Sequence, residues 1–534
     1  MILVVQIIMI QSYKQRPQLN KNYDTIIIGS GMGGLSTAAI LSKQGHKVLV
    51  LERHYTAGGF THVFKRKGYE WDVGIHYVGE VQRKNSILKK LFDYITDGAL
   101  KWEDMGEVYD RIVIGDKHFN LVKGVSNFKT QLITYFPDEE KAIVNYVDLV
   151  FKAVKSSKNY YLSKAVPLMI RLLFGKILQN PFYKFSDKTT DEVLHSLTKN
   201  ETLIKVLTGQ YGDYGLPPKQ SSFAMHASVV RHYFDGGSFP VGGSSQILKT
   251  IDPVIAAAGG TILVNAEVQE IIVKNDVAIG VKMRDGNIMS ATNIVSNAGI
   301  MTTYNSLLPK AVRIKYHLNR QLKKIEPSVA HISLYLGLKG SPQELNLPKT
   351  NYWIYPAKYD HDTCVKRYLN DLSEPFPMIY LSFPSAKDPD WINRYPGKSS
   401  IDIITLMPFE QFKKWEGTQW KKRGQEYEKM KEDLTQRLLR ELFKQIPQAK
   451  GKIDFSELST PLTTKHFVNY QKGEVYGLNH NPSRFRQSFL KPKTPVKKLY
   501  LTGQDIVTAG IGGALFSGVL TSMSITKKNI LKSL

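Results

Sequence analysis

A chain of 534 residues exceeds what one hydrophobic core supports, so two or more domains are expected. Its composition, 42% apolar against 22% charged, is that of a folded protein. Its single cysteine, Cys364, excludes an intrachain disulfide, a CxxC pair, a cysteine-ligated iron–sulfur cluster and a multi-cysteine zinc site, so no metal site is expected and any redox chemistry must use an organic cofactor. The net charge of +25 favours anionic partners, beyond a surface of solvated lysines; with no recognition helix, zinc finger or aromatic RNA-binding signature, the expected partner is an acidic lipid surface and not nucleic acid.

The opening MILVVQIIMIQSYKQ holds about ten apolar residues, short of the ~20 that span a bilayer, and lacks a basic stretch before the apolar run and a small-residue cleavage site. Residues 1–22 are therefore expected to be a leader outside the core. Tyr23 to Ile28 reads as a buried parallel strand, Leu35 to Gln44 has helical spacing, and Lys47 to Leu51 is a second strand: a βαβ unit. Residues 85–235 turn helical and mixed. They include KAVPLMIRLLFGKILQNPFYKF (164–185), an apolar stretch studded with Lys164, Arg171, Lys176 and Lys184, of a type that lies in a headgroup layer or packs its stripe on a core. Residues 236–299 return to strands. From 301 to 470, strands at 331–338, 378–383 and 400–409 alternate with a long polar helix near 417–446, and 498–534 form a strand, a glycine-rich turn and a closing helix.

Chemistry begins at Gly29-Ser30-Gly31-Met32-Gly33-Gly34, a GxGxxG between strand and helix. Gly29 permits the tight turn, Gly31 lets backbone approach a pyrophosphate, and Gly34 allows helix–strand packing, while the helix N-terminus offers N–H groups and a positive dipole end. Glu52 closes the second strand, placed to accept ribose hydroxyls and to repel a 2′-phosphate. The next run, Arg53 to Thr61, contains Gly58-Gly59 and Phe60, a second place where phosphates meet bare backbone. Far away, LYLTGQDIVTAGIGG (499–513) puts Gly503 and Asp505 after a strand, with Gly510, Ile511, Gly512 and Gly513 opening the last helix. A glycine-rich helix entry is also compatible with packing alone. Joined to the first fingerprint, it suits the second clamp that a long dinucleotide needs at its flavin end, which argues for FAD rather than NAD.

This pattern resembles the FAD-dependent amine oxidase and phytoene desaturase superfamily. Within it the chain is most similar to the retinol saturases, with carotenoid isomerases the next neighbours. The resemblance rests on EWDVGIHYVGE (70–80), SFPVGGSSQILKTIDPVIAAAGGTI (238–262), ELSTPLTTKHFVNYQKGEVYGL (457–478) and LYLTGQDIVTAGIGGALFSGVL (499–520). It implies an α/β fold: a Rossmann-type FAD-binding domain built from 23–84, 236–300 and 471–534, and an α+β substrate domain from 85–235 and 301–470. It also implies that FAD is held non-covalently, that Val268 brings backbone to the adenine, and that NIVSNAG (293–299) returns toward the nucleotide.

By the same resemblance the chain is an oxidoreductase that saturates a double bond of an apolar polyene or isoprenoid. Isomerase or desaturase chemistry in the same site is the alternative, and a carrier of the Rab GDP-dissociation-inhibitor type is the non-enzyme alternative. His76 and Tyr77 are the candidate catalytic residues: the segment after the glycine pair passes the flavin in this superfamily, histidine delivers protons near neutrality, and tyrosine hydrogen-bonds an end group. The bland reading, a backbone-bonded His76 and a tunnel-lining Tyr77, stands beside it. His226, Arg231, His232 and Tyr233 are placed to border the substrate mouth. Without a second GxGxxG, electrons are expected from a separate donor. The expected location is intracellular, peripheral to a membrane.

Overall fold

In the computed structural model, which describes residues 10–15, 23–165 and 168–532, the apolar runs of the βαβ unit pair side by side at the middle of an eight-stranded sheet. Tyr23–Ile28 lies parallel to Val48–Leu51 on one side and to Ile288–Ser296 on the other. Thr261–Val264 extends the sheet beyond Val48–Leu51, and Leu499–Leu501 adds in parallel to Ile288–Ser296. Val268–Lys274 and Val277–Met283 complete it as an antiparallel meander. Covered on both faces, the middle of the sheet is apolar where the parallel strands pair, burying Ile26, Ile27 and Ile28 against Leu49, Val50, Leu51, Ile294 and Val295. The helices Met32–Ser42 and Gly510–Thr526 pack against each other on one face, although they lie at opposite ends of the chain.

The leader departs from its expectation: Gln11–Ser12 pairs in parallel with Leu263–Val264 and forms an edge strand of this sheet. Residues 1–9, which carry most of the apolar opening run, lie outside the described residues.

A second, seven-stranded sheet draws His331–Lys339, Asn351–Tyr355, Ile379–Ser382, Lys398–Leu406 and Ile453–Ser459 from the later half of the chain. Val108–Ile114 and Lys117–Val122 join it at the edge. The stretch 164–185 is not one helix. Lys164 ends the helix Glu140–Ser163 and turns inward, its Nζ donating to the Ile506 carbonyl at 2.8 Å. Leu168–Ser186 then forms a separate helix on which Met169, Leu173, Phe174 and Ile177 are exposed, with Lys176 and Lys184 exposed among them. Among the described residues, no helix is long and apolar enough to cross a membrane.

Candidate functional site

A cavity opens at the carboxyl ends of Tyr23–Ile28 and Val48–Leu51, where Ile28 and Leu51 line it, and continues to Trp353, Tyr380 and Ile404 of the second sheet. Open α/β sheets bind their ligands at these strand ends. Of the residues singled out in the sequence, Gly29, Gly31, Met32, Gly33, Glu52, Arg53, Gly59, Phe60, Thr61, Val268, Gly503, Asp505, Ile511 and His76 line the cavity. Ser30, Gly34, Gly58, Gly512 and Tyr77 are not part of its wall.

The residues behind the wall have other work. Ser30 is a buried hub: its N–H and hydroxyl donate to Glu52 Oε2 at 2.9 and 2.7 Å, and its oxygen accepts from Gly58 N at 2.9 Å. One side chain thus fastens the first glycine turn to the second. A Cβ on Gly34 would sit 2.1 Å from the Gly29 carbonyl, so this glycine closes its own turn rather than admitting a strand. The close approach belongs to Gly33, where a Cβ would lie 2.6 Å from the backbone of Gly503. The two glycine fingerprints, some 470 positions apart, are in backbone contact. Gly512 has only ordinary neighbours at 3.8 Å, whereas a Cβ on Gly513 would meet the Thr508 carbonyl at 2.2 Å. At the entry of the last helix, the crowded glycine is therefore Gly513, not Gly512.

The nucleotide end fits a dinucleotide by three observations. Met32 with Gly33, and Gly510 with Ile511, place the first turns of two helices on the cavity, offering unpaired N–H groups to phosphate oxygens. Among the described residues, Glu52 Oε1 accepts from His54 N at 2.8 Å, and it keeps capacity for a hydroxyl. Asp505 Oδ2 accepts from Ile300 N at 2.7 Å, while its buried Oδ1 has no protein partner among the described residues. The sequence reading missed Asn297, whose side chain fills the space beside Gly31, Gly33 and Gly503 and leaves none of them room for a Cβ. The signal was present: Asn297 directly follows the strand Ile288–Ser296 in the NIVSNAG segment, two residues before its glycine.

The other end is built differently. His76 lines the cavity, whereas Tyr77, the next residue, does not, its ring stacking on Tyr233 instead. Burial, reinforced by the Lys387 ammonium, pulls the His76 pKa down to about 3, so its imidazole is neutral at physiological pH. Its Nδ1 lies 3.5 Å from Asp402 Oδ2, and burial pushes that carboxyl well above the ordinary carboxylate range. Lys387 is fully buried and donates to the His76 carbonyl, Ser382 Oγ and Asn351 Oδ1. Burial lowers its pKa to about 7 against the opposing pull of Asp110, Asp402 and Asp72. Tyr77 stacks on Tyr233 at 4.1 Å and reaches two carboxyls, Asp110 at 2.9 Å and Asp213 at 3.2 Å.

Asp213 lines the cavity with His331, Met378, Leu406 and Tyr476. The 226–233 segment does not: His226 is buried between Tyr146 and Tyr214, and His232 accepts from Gly79 N. Cys364 is also away from the wall, and no cluster of metal-ligating side chains occurs among the described residues.

A phosphate-ready glycine cradle running into a deep apolar chamber defines a dinucleotide-dependent enzyme. Residues 32–526 match the flavin-containing amine oxidoreductase family, and the chain belongs to it. The protein is a flavin-dependent oxidoreductase. It is 36% identical over 95% of its length to the all-trans-retinol 13,14-reductase of Danio rerio, of which 86% is covered. It is 28% identical over 93% of its length to the chloroplastic prolycopene isomerase of Arabidopsis thaliana, covering 82% of that protein. Among solved structures, putrescine oxidase bound to putrescine superimposes with a TM-score of 0.61 at 14% identity, covering 95% of this chain and 99% of that one, a likeness of fold.

Proposed function

We propose that this chain binds FAD non-covalently along the cavity and saturates a carbon–carbon double bond of a retinol-like polyene, with electrons from a separate donor. The observation that carries the reading is the continuity of the cavity from a backbone cradle to a chamber walled by Trp353, Met378, Tyr380, Ile404 and Leu406. Glu52 Oε1 takes a ribose hydroxyl, Val268 lies beside the adenine, and the N-terminal turns at Met32 and Gly510 hold the phosphates and the flavin end. Asp505 Oδ1 and the Gly503 backbone bind the chain between them. The distance of Cys364 from the wall supports non-covalent attachment. When bound, FAD supplies two-electron hydride chemistry.

The residues around it keep water out, which favours transfer to an apolar carbon. His76, as a neutral imidazole, packs against the polyene and orients it. Strong similarity to a retinol reductase favours reduction; similarity to an isomerase names the competing outcome. Anaerobic photoreduction of the holoenzyme followed by mass analysis of retinoids and carotenoids separates them. A gain of two hydrogens is expected, and unchanged mass with a new retention time would establish isomerisation instead.

Peripheral contact with an anionic bilayer belongs to the same proposal. Met169, Leu173 and Ile177 recur at helical spacing and are each about 70% exposed, with Lys176 and Lys184 beside them. Leu173→Ser with Ile177→Ser should weaken binding to anionic vesicles several-fold, and rising salt should weaken the wild type. Equal partitioning of wild type to neutral and anionic vesicles would refute the electrostatic part.

A further inference from the structure

The buried polar cluster behind Tyr77 holds a hydrogen-bond count that fixes a protonation state. One phenol, Tyr77, lies within bonding distance of both Asp110 Oδ2 and Asp213 Oδ2. A phenol has one proton to give, so one of the two carboxyls must bring its own. Asp110 is the acceptor: Gln210 Nε2 donates to it at 2.7 Å and Asn351 Nδ2 at 3.0 Å. Asp213 receives no other donor among the described residues and must be the acid that donates to the Tyr77 oxygen. Burial, and then the Asp110 charge, pushes the Asp213 carboxyl well above the ordinary carboxylate range.

Position completes the case. Asp213 sits on a tight turn, Tyr211–Asp213, clamped by Tyr476 Oη donating to the Gly212 carbonyl at 2.7 Å and Tyr355 Oη donating to the Gly209 carbonyl at 2.6 Å. Asp213 is half-buried and forms part of the cavity wall. Facing it are Asp110 and the phenols of Tyr77, Tyr214, Tyr233, Tyr355, Tyr380 and Tyr476, whose ionisation burial suppresses.

We propose that Asp213 is the proton donor of this site, delivering its carboxylic proton to one carbon of the substrate double bond while the other carbon receives hydride. The π bond breaks and two C–H bonds form. The polyene gains the hydride electron pair from the reduced flavin, which is thereby oxidised, and Asp213 is left as carboxylate. Tyr77, a positioning residue, turns its O–H toward that carboxylate until a proton from water restores the acid. A neutral carboxylic acid in an apolar chamber can protonate carbon without bringing a charge to the polyene.

This inference rests on the saturase reading, and the experiment separates the two. Photoreduced holoenzyme, with flavin content checked by absorbance, is reoxidised by all-trans-retinol in a single turnover. Asp213→Asn should slow this on the order of 10²-fold or more, and Asp213→Glu should recover part of the loss. Resting wild type should show an infrared carboxylic C=O band at neutral pH that Asp213→Asn removes. Asp110→Asn, which deletes the neighbouring negative charge, should move the alkaline limb of the rate to lower pH. Normal rates in Asp213→Asn, or no such infrared band in wild type, overturn the donor while leaving the saturase reading intact. Wild type that reduces no polyene while the band is present overturns the saturase reading and the donor role with it. Should Asp213→Asn lose its flavin, the limb shift in Asp110→Asn decides.

Discussion

The two ends of the cavity solve opposite problems. At the nucleotide end the ligand carries the charge and the protein answers with backbone: two helix N-termini, glycines packed glycine-to-glycine, and a few fixed acceptors such as Glu52 and Asp505. At the substrate end the ligand is apolar, and the protein keeps titratable groups of its own around the chamber: Lys387, Asp110 and Asp402, all buried, and Asp213 on the cavity wall. The first end fails when an atom is added. The second fails when a proton is misplaced.

The largest effect is expected where backbone meets backbone. Gly33→Val would place its Cβ 2.6 Å from the backbone of Gly503 and 2.7 Å from Asn297 Oδ1, an approach that cannot relax without moving the first helix away from the turn that follows Leu499–Leu501. Overpacking of this kind typically costs about 1–3 kcal/mol and more when both neighbours are rigid. Purified Gly33→Val should contain no flavin and unfold at a clearly lower temperature. Stoichiometric flavin absorbance in this variant would show that the two fingerprints do not act as one unit.

Glu52→Ala comes next. It removes a charged acceptor whose hydrogen bonds are worth about 1.5–3 kcal/mol, so FAD affinity should fall at least tenfold. Because Glu52 also anchors Ser30, and through it Gly58, part of that loss is positional. Ser30→Ala should therefore lose affinity as well, though less, despite never touching the ligand. Unchanged affinity in Ser30→Ala would assign the whole Glu52 effect to direct contact.

These differences explain what the sequence disclosed. The nucleotide end was legible because backbone requirements are written locally: Tyr23–Ile28, the glycine run, Val48–Leu51 and Glu52 form one contiguous pattern. Its misreadings were one-residue errors, such as Gly512 for Gly513, since which glycine is crowded depends on the turn before the helix. Helix limits were less legible. The helix predicted near 417–446 starts at Gln425, because Gly417 and Gly424 adopt φ of 85° and 90°, conformations a helix cannot use. Lys164 read as a headgroup contact because its spacing fits, yet a helix end turns it toward Ile506. The substrate end was mostly illegible: positions 76, 110, 213, 387 and 402 meet only after the second sheet has formed, and no local period joins an aspartate on a turn to a lysine 174 residues later.

The smallest effect at neutral pH is also the sharpest probe of the contrast. His226 lies in the substrate half, buried, its ring between the hydroxyls of Tyr146 at 2.7 Å and Tyr214 at 3.2 Å. Burial lowers its pKa to about 3. Below about pH 6.5 the unfolded chain takes up this proton while the folded chain refuses it until about pH 3. The unfolded state binds more protons across that window, so the stability this site contributes is lost as pH falls. His226→Gln should be less stable than wild type at pH 7, by roughly 1 kcal/mol for each hydrogen bond it fails to remake. Between about pH 6.5 and 4 the gap should narrow, at up to about 1.4 kcal/mol per pH unit for the single proton. Thr502→Val is the counterpart at the nucleotide end, where the hydroxyl of Thr502 joins Thr37, Ser517 and the Gly33 carbonyl. That network contains no titratable group, so its gap to wild type should stay constant over the same range. Denaturant unfolding of the three proteins at several pH values measures both gaps. Parallel curves for all three would mean that His226 is as easily protonated folded as unfolded, and that proton placement does not set the substrate half apart from the backbone cradle.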